Sequence, residues 1–298
     1  MGRIEERFPA EGIEVAVAQR LELGESILWD DRKGALAWVN IHQGEIWERP
    51  STGEVPRHEL PDRVGAIGLR DGRAGFVVGL AKAFGTWTEA EGFTPLAEVE
   101  PDLPHTRLND GRCDRFSNFL CGGMNEGGPG SPLSALYRLR PDGHVERLLE
   151  CVDCANSTCF SPDGGTLYFA DMGTGRIMAY PYDPAGPLGQ GRLFFDFAGR
   201  RGLPDGSTVD AEGFLWSTHW GDGRITRHAP DGRIDREIAL PVTNPTSLAF
   251  GGPDLRTLYI STATFQLTEA RLAAEPLAGA VLSLRVDVEG LPEPRFAG

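Results

Sequence analysis

Apolar residues along this chain gather in short runs with polar positions between them, and each run is bounded by a turn containing Asp or Gly. Such runs read as β-strands, because successive strand side chains point to opposite faces while Asp and Gly supply the turn geometry between strands. No long stretch carries the three-and-four spacing of an amphipathic helix. Six strand-turn-strand segments align with one another: SILWDDRKGALAWVN, AIGLRDGRAGFVVGL, GRCDRFSNFLCGGM, TCFSPDGGTLYFAD, STVDAEGFLWSTHW and LAFGGPDLRTLYIST. Their turn aspartates are Asp30, Asp71, Asp114, Asp163, Asp210 and Asp254, so successive units lie 41, 43, 49, 47 and 44 residues apart.

A repeat of this length with paired strands is the size of one four-stranded propeller blade. The second hairpins are visible in QGEIWERP, TGRIMAYPYD and DGRITRHAPDGRI. Six units predict an all-β, six-bladed β-propeller forming a single domain over residues 1–298. The early run IEVAVA, Ile13 to Ala18, is expected to complete the last blade beside GAVLSLRVD and so close the ring, which removes open sheet edges.

Composition narrows the partners. Lysine and arginine total 29 against 43 acids, a formal charge of −14, and no basic patch stands out. An acidic field of this kind disfavours nucleic acid and anionic membranes. No apolar run is long enough to cross a bilayer, and MGRIEERFPAEG lacks the apolar core of a secretory signal, so the expectation is a cytoplasmic protein, monomeric or a small homo-oligomer. Five cysteines, an odd number, fit a reducing compartment. Cys151 and Cys154 form a CxxC with no second pair, which reads as reduced thiols. There is no GxSxG and no HExxH, and the two lysines, Lys33 and Lys82, stand in no phosphate-binding loop.

Chemistry enters through the repeat. Counting back four from the hydrophobic residue before each turn gives Glu25, Gly65, Asn109, Asn156, Asp205 and Thr246. In a propeller these positions ring one mouth of the channel. Carboxylates brought together there need a cation or a shared proton. Glu25, Asn156 and Asp205 offer oxygen donors, which suits a hard divalent ion with open coordination positions. The competing reading is that Asn and Asp cap turns through their own backbone.

The motifs LGESILWD, RLNDGRCD, CGGMNE, NSTCFSPDGGTLYFAD, LPDGSTVDAEGFLW and FGGPDLRTLYIST together resemble the SMP-30/gluconolactonase/regucalcin-like family, from about Glu25 to Gly298. The resemblance implies a metal-dependent lactonase that opens a sugar aldonolactone: xylono-, arabinono- or gluconolactone or a substituted analogue. It implies one divalent ion (Ca²⁺, Mg²⁺, Mn²⁺ or Zn²⁺) on Glu25, Asn156 and Asp205, with Asp205 also the general base. Arg107 and Asn109 resemble the substrate-binding pair, and Glu126 resembles the acid that meets substrate hydroxyls in a loop like the family's lid. Ser26 stands where the family often has Gly. Asp110 is expected to support Asn109 or Arg107, or else to cap a turn, and Asp171 to act as a supporting carboxylate. His219 and Trp220 are expected to pack near the channel. Two other readings stay open: a non-catalytic propeller scaffold, and a metal-dependent hydrolase of another ester or phosphoester.

Overall fold

The computed structural model describes residues 12–128 and 130–298; MGRIEERFPAE lies outside the described residues. Six antiparallel sheets follow one another along the chain as the six blades of a propeller. The innermost strands are Gly24–Asp30, Val64–Arg70, Thr106–Cys113, Ala155–Phe160, Leu203–Val209 and Pro245–Gly251 for blades 1 to 6. Blade 6 is closed by the early strand Ile13–Val17, which pairs with Val281–Arg285 as its outermost member.

The repeat markers have a local cause. Asp30, Asp114, Asp163, Asp210 and Asp254 each accept a backbone N–H from the residue two positions on, the Asx-turn that folds the chain from the first strand of a blade into its second. Asp71 instead takes the guanidinium of Arg32 at 2.9 Å.

Inner strands are buried on both faces, since each is sandwiched between neighbouring blades; every residue of Val64–Arg70 and Pro245–Gly251 is buried. The outer strands Gly92–Glu98 and Val145–Val152 are largely open to solvent. Packing therefore runs between blades. Leu28, Val39 and Ile46 of blade 1 meet Ile67, Leu69 and Val78 of blade 2 in one cluster. Truncating one such side chain to Ala costs about 2–5 kcal/mol. Among the described residues the one α-helix, Glu269–Ala274, lies between the second and third strands of blade 6, with Thr268 as its N-cap.

The C-terminal segment crosses beneath the ring. Arg295–Phe296 adds a parallel strand to the inner strand of blade 2, and Arg70 donates to the Gly298 carbonyl. The channel is thus open at the strand-start end and covered at the turn end.

Candidate metal and substrate site

In every blade the pairing of first and second strands slips once near its start. The slips fall between Glu25 and Leu28, Val64 and Ala66, Leu108 and Gly111, Asn156 and Cys159, Pro204 and Ser207, and Pro245 and Leu248. These are β-bulges at or beside the ring positions, and a bulge re-aims the side chain it carries. Ser26 and Ser157, next to Glu25 and Asn156, have φ of 47° and 57°. That left-handed conformation costs a non-glycine residue about 1–3 kcal/mol. Bonds between blades hold it: Ser26 Oγ accepts the Ile67 N–H at 2.9 Å, and Ser157 Oγ donates to the Asp205 carbonyl at 2.6 Å. Ser26 in the family's glycine position thus occupies a glycine-like backbone and adds a tie to blade 2.

Two ring positions serve the scaffold. A Cβ on Gly65 would lie 2.5 Å from the Leu108 carbonyl oxygen, so only glycine lets blade 2 close on blade 3 here. Thr246 donates to the Gly24 carbonyl, tying blade 6 to blade 1, and is hydrogen-bonded to Ser261 Oγ.

The other four positions carry the polar site. Asn109, Asn156 and Asp205 are buried, and Glu25 keeps part of its surface open. Glu25 accepts the Ser26 N–H at 3.1 Å. Among the described residues neither Glu25 nor Asp205 forms an ion pair with Lys, Arg or His. Burial, then the charge of Asp110, pushes the Glu25 carboxyl up from its ordinary range; burial, then Glu25 and Asp110, does the same to Asp205. The Arg107 charge opposes this at Glu25 only in part, and a divalent cation would supply further counter-charge to both. Among the described residues no three His, Cys, Asp or Glu side chains gather closely enough to hold an ion. A cation on these carboxylates therefore draws on an amide oxygen, and Asn156 offers one; the donor set fits a hard ion.

One chain of hydrogen bonds leads outward from Asn156. Asn109 Nδ2 donates to the Ala155 carbonyl at 2.8 Å and approaches Asn156 Oδ1 at 3.4 Å. Arg107 Nη1 donates to Asn109 Oδ1 at 2.7 Å, and its Nε donates to Glu126 Oε1 at 3.1 Å. Arg63 Nη1 donates to both oxygens of Glu126 at 2.6 Å each. Burial lowers the Arg107 guanidinium from its ordinary value, opposed by Glu126.

Asp110 accepts the Thr158 N–H of blade 4 at 2.7 Å rather than a donor of Asn109 or Arg107. Asp171 accepts the N–H groups of Asp153 and Cys154, fixing the backbone that leads into Asn156. His219 is buried against Phe197 and bonded to Thr226, while Trp220 packs against the core cluster shared by blades 1 and 2. All five cysteines are free. Cys154 is no bystander: its Sγ lies 3.8 Å from Asn109 Nδ2 and 3.9 Å from Asn156 Nδ2, with burial holding the thiol protonated.

Sequence reasoning singles out neither Arg63 nor the covered end of the channel, and it shows Cys154 as a reduced thiol without its place beside Asn109 and Asn156. The repeat held the signal for Arg63 and Cys154. Arg63, Arg107 and Cys154 each stand two residues before a ring position, and a period of two returns a strand to the same face. At the covered end, Arg112 reaches across the channel, donating to Glu293 Oε1 at 2.7 Å and to the carbonyls of Ser207 and Leu248. Between the two ends lies a polar void of about 10 Å³, lined in part by Ser26, Asp110, Arg112 and Ser207. That is about the space of one water.

A family model described as SMP-30/gluconolactonase/LRE-like region matches residues 23–264. An L-arabinolactonase of Azospirillum brasilense is 38% identical over 283 residues, 94% of this chain and 93% of that protein. A 6-deoxy-6-sulfogluconolactonase of Pseudomonas putida is 36% identical over 97% of this chain and 99% of its own length. The crystal structure of regucalcin from Agrobacterium tumefaciens, described as a calcium-binding protein, superposes with a TM-score of 0.91 at 32% identity, covering 97% of this chain and 98% of that one.

Proposed function

The chain belongs to the SMP-30/gluconolactonase/LRE-like family, and on that footing we propose that it opens the ring of a sugar aldonolactone with one divalent cation held by Glu25, Asn156 and Asp205. What supports this reading is that the buried carboxyls of Glu25 and Asp205 act on one another electrostatically at the ring positions, where Asn156 stands at the equivalent place in blade 4 and is linked through Asn109 to Arg107 and Glu126. Relatives named for arabinono- and sulfogluconolactone support a five- or six-carbon sugar acid lactone as substrate.

When bound, the cation would supply Lewis acidity to the lactone carbonyl and to the attacking water. The remaining work falls to side chains. Asp205 accepts the proton that the attacking water loses, as a general base within the buried mouth. Arg107, locked between Glu126, Asn109 and the Leu108 carbonyl, presents a fixed guanidinium to ring and hydroxyl oxygens. Asn109 both donates and accepts, and Glu126 accepts substrate hydroxyls. Asp171 and Asp110 hold the backbone of blade 4 on either side of Asn156. A cytoplasmic location belongs to the same proposal.

The test is a pH-stat assay on L-arabinono-, D-xylono- and D-gluconolactone, run against the spontaneous rate. Assays follow chelation and then return of Ca²⁺, Mg²⁺, Mn²⁺ or Zn²⁺ singly; the calcium-binding description of the regucalcin structure makes Ca²⁺ the first to try. We expect turnover that chelation removes and one of these ions restores. Full turnover in the chelated protein overturns the metal assignment, and background rates on every lactone overturn the reaction.

A further inference from the structure

Blade 2 contributes no side chain at the ring, because Gly65 must let its backbone close on blade 3. Two residues earlier, at the position where blade 3 carries Arg107, it carries Arg63. We propose that Arg63 is a positioning residue of the substrate site: it clamps the Glu126 carboxylate in one orientation and thereby sets which acceptor a sugar hydroxyl meets. The inference rests on the lactonase reading for its kinetic consequence, though not for the clamp itself.

The geometry points one way. A carboxylate offers about four acceptor positions on its two oxygens. Arg63 Nη1 takes one on each oxygen at 2.6 Å, and Arg107 Nε takes a second on Oε1 at 3.1 Å. What remains open is one position on Oε2, in a fixed direction. Both charge-assisted bonds are of the strong class. The clamp is itself anchored, since the Arg63 carbonyl accepts the Ala81 N–H and the Arg63 N–H donates to Asp62 Oδ1. On the other side, Glu126 donates its own N–H to the His105 carbonyl at 2.7 Å. Arg63 is about one-third exposed, whereas Arg107 is almost fully buried. Arg63 is therefore the outermost link of the chain that runs through Glu126, Arg107 and Asn109 to Asn156.

Without Arg63, Glu126 keeps one guanidinium bond, on Oε1, and its Oε2 loses the donor that fixes the carboxylate's orientation. Substrate binding then has to order a carboxylate that the native protein has already ordered, which weakens binding and leaves the chemistry at Asp205 in place.

The experiment uses the full chain with its divalent ion. Arg63→Met keeps the apolar stem and removes the donors, Arg63→Lys keeps a charge on a shorter side chain, and Glu126→Ala is made alone and combined with Arg63→Met. We expect Arg63→Met to raise KM about tenfold with kcat within about twofold, as loss of a charge-assisted contact predicts. Arg63→Lys should recover part of the loss, and the double variant should be no worse than Glu126→Ala. Deuterium exchange over residues 124–128 should rise in Arg63→Met whatever the substrate. Unchanged exchange in Arg63→Met overturns the clamp, and so do KM effects that simply add in the double variant. If the unmodified protein opens no lactone, the lactonase reading falls, and the exchange measurement still decides the clamp.

Discussion

The two ends of the channel bury charge in opposite ways. At the covered end Arg112 meets Glu293 at 2.7 Å and donates to two carbonyls from blades 5 and 6, so the protein supplies every counter-charge itself. At the open end Glu25 and Asp205 feel one another's charge, with no cationic side chain bonded to either among the described residues. Buried charges are tolerated when paired, and a charge left without its partner is strongly destabilising. The closed end is thus complete as a structure, while at the open end the proposed cation would supply the charge that the carboxyls lack.

The sharpest way to break this comparison is at Asp205. Asp205→Ala should lower lactone turnover by roughly 10³-fold or more, in the range of a lost general base compounded with a lost ligand, with the circular-dichroism spectrum intact. Turnover near that of the unmodified protein would erase the distinction between the ends.

Stability should respond with opposite signs. Glu293→Ala strands Arg112 in the channel and should cost about 3–5 kcal/mol in urea unfolding. Saturating divalent ion should raise the stability of the unmodified protein by about 2.7 kcal/mol at a hundredfold excess over Kd, a gain that Glu25→Gln should lose. Asp205→Asn relieves the repulsion at the open end and should stabilise the chelated protein by about 1 kcal/mol. Destabilisation by Asp205→Asn under chelation would mean that the open end, too, is internally compensated.

A carboxylate away from the channel provides the smallest effect and a control. Arg140, then Arg138, holds the Glu146 carboxyl down at about 2, against an ordinary 4.5, and burial opposes them. Its contribution is complete above pH of about 4.5 and is lost as the pH falls toward 2. Glu146→Gln should flatten the acid limb of the stability profile over that window and leave lactone turnover unaltered at neutral pH.

Much of the fold was legible because its cause is local. The Asx-turns at Asp30, Asp114, Asp163, Asp210 and Asp254 impose the repeat, and the apolar run at Ile13 marks the strand that closes the ring. The candidate ligands were legible through the same register, since Glu25, Asn156 and Asp205 stand at equivalent positions. Arg63 and Cys154 escaped because each gains meaning only through neighbours from another blade. Of the two roles expected of Asp110, support of Asn109 or Arg107 and the capping of a turn, the structure shows a bond to the Thr158 N–H of the next blade instead.

What the sequence determined by itself was the number of blades, the position of each ring residue and the kinds of donor atoms available, because turn chemistry and strand alternation act within a few residues. Only the tertiary structure decided which donors share a partner. Arg112 and Glu293 are distant along the chain, and Arg63 and Glu126 belong to different blades. Their pairing depends on how the blades close around the channel, and ring closure is a property of all six blades at once.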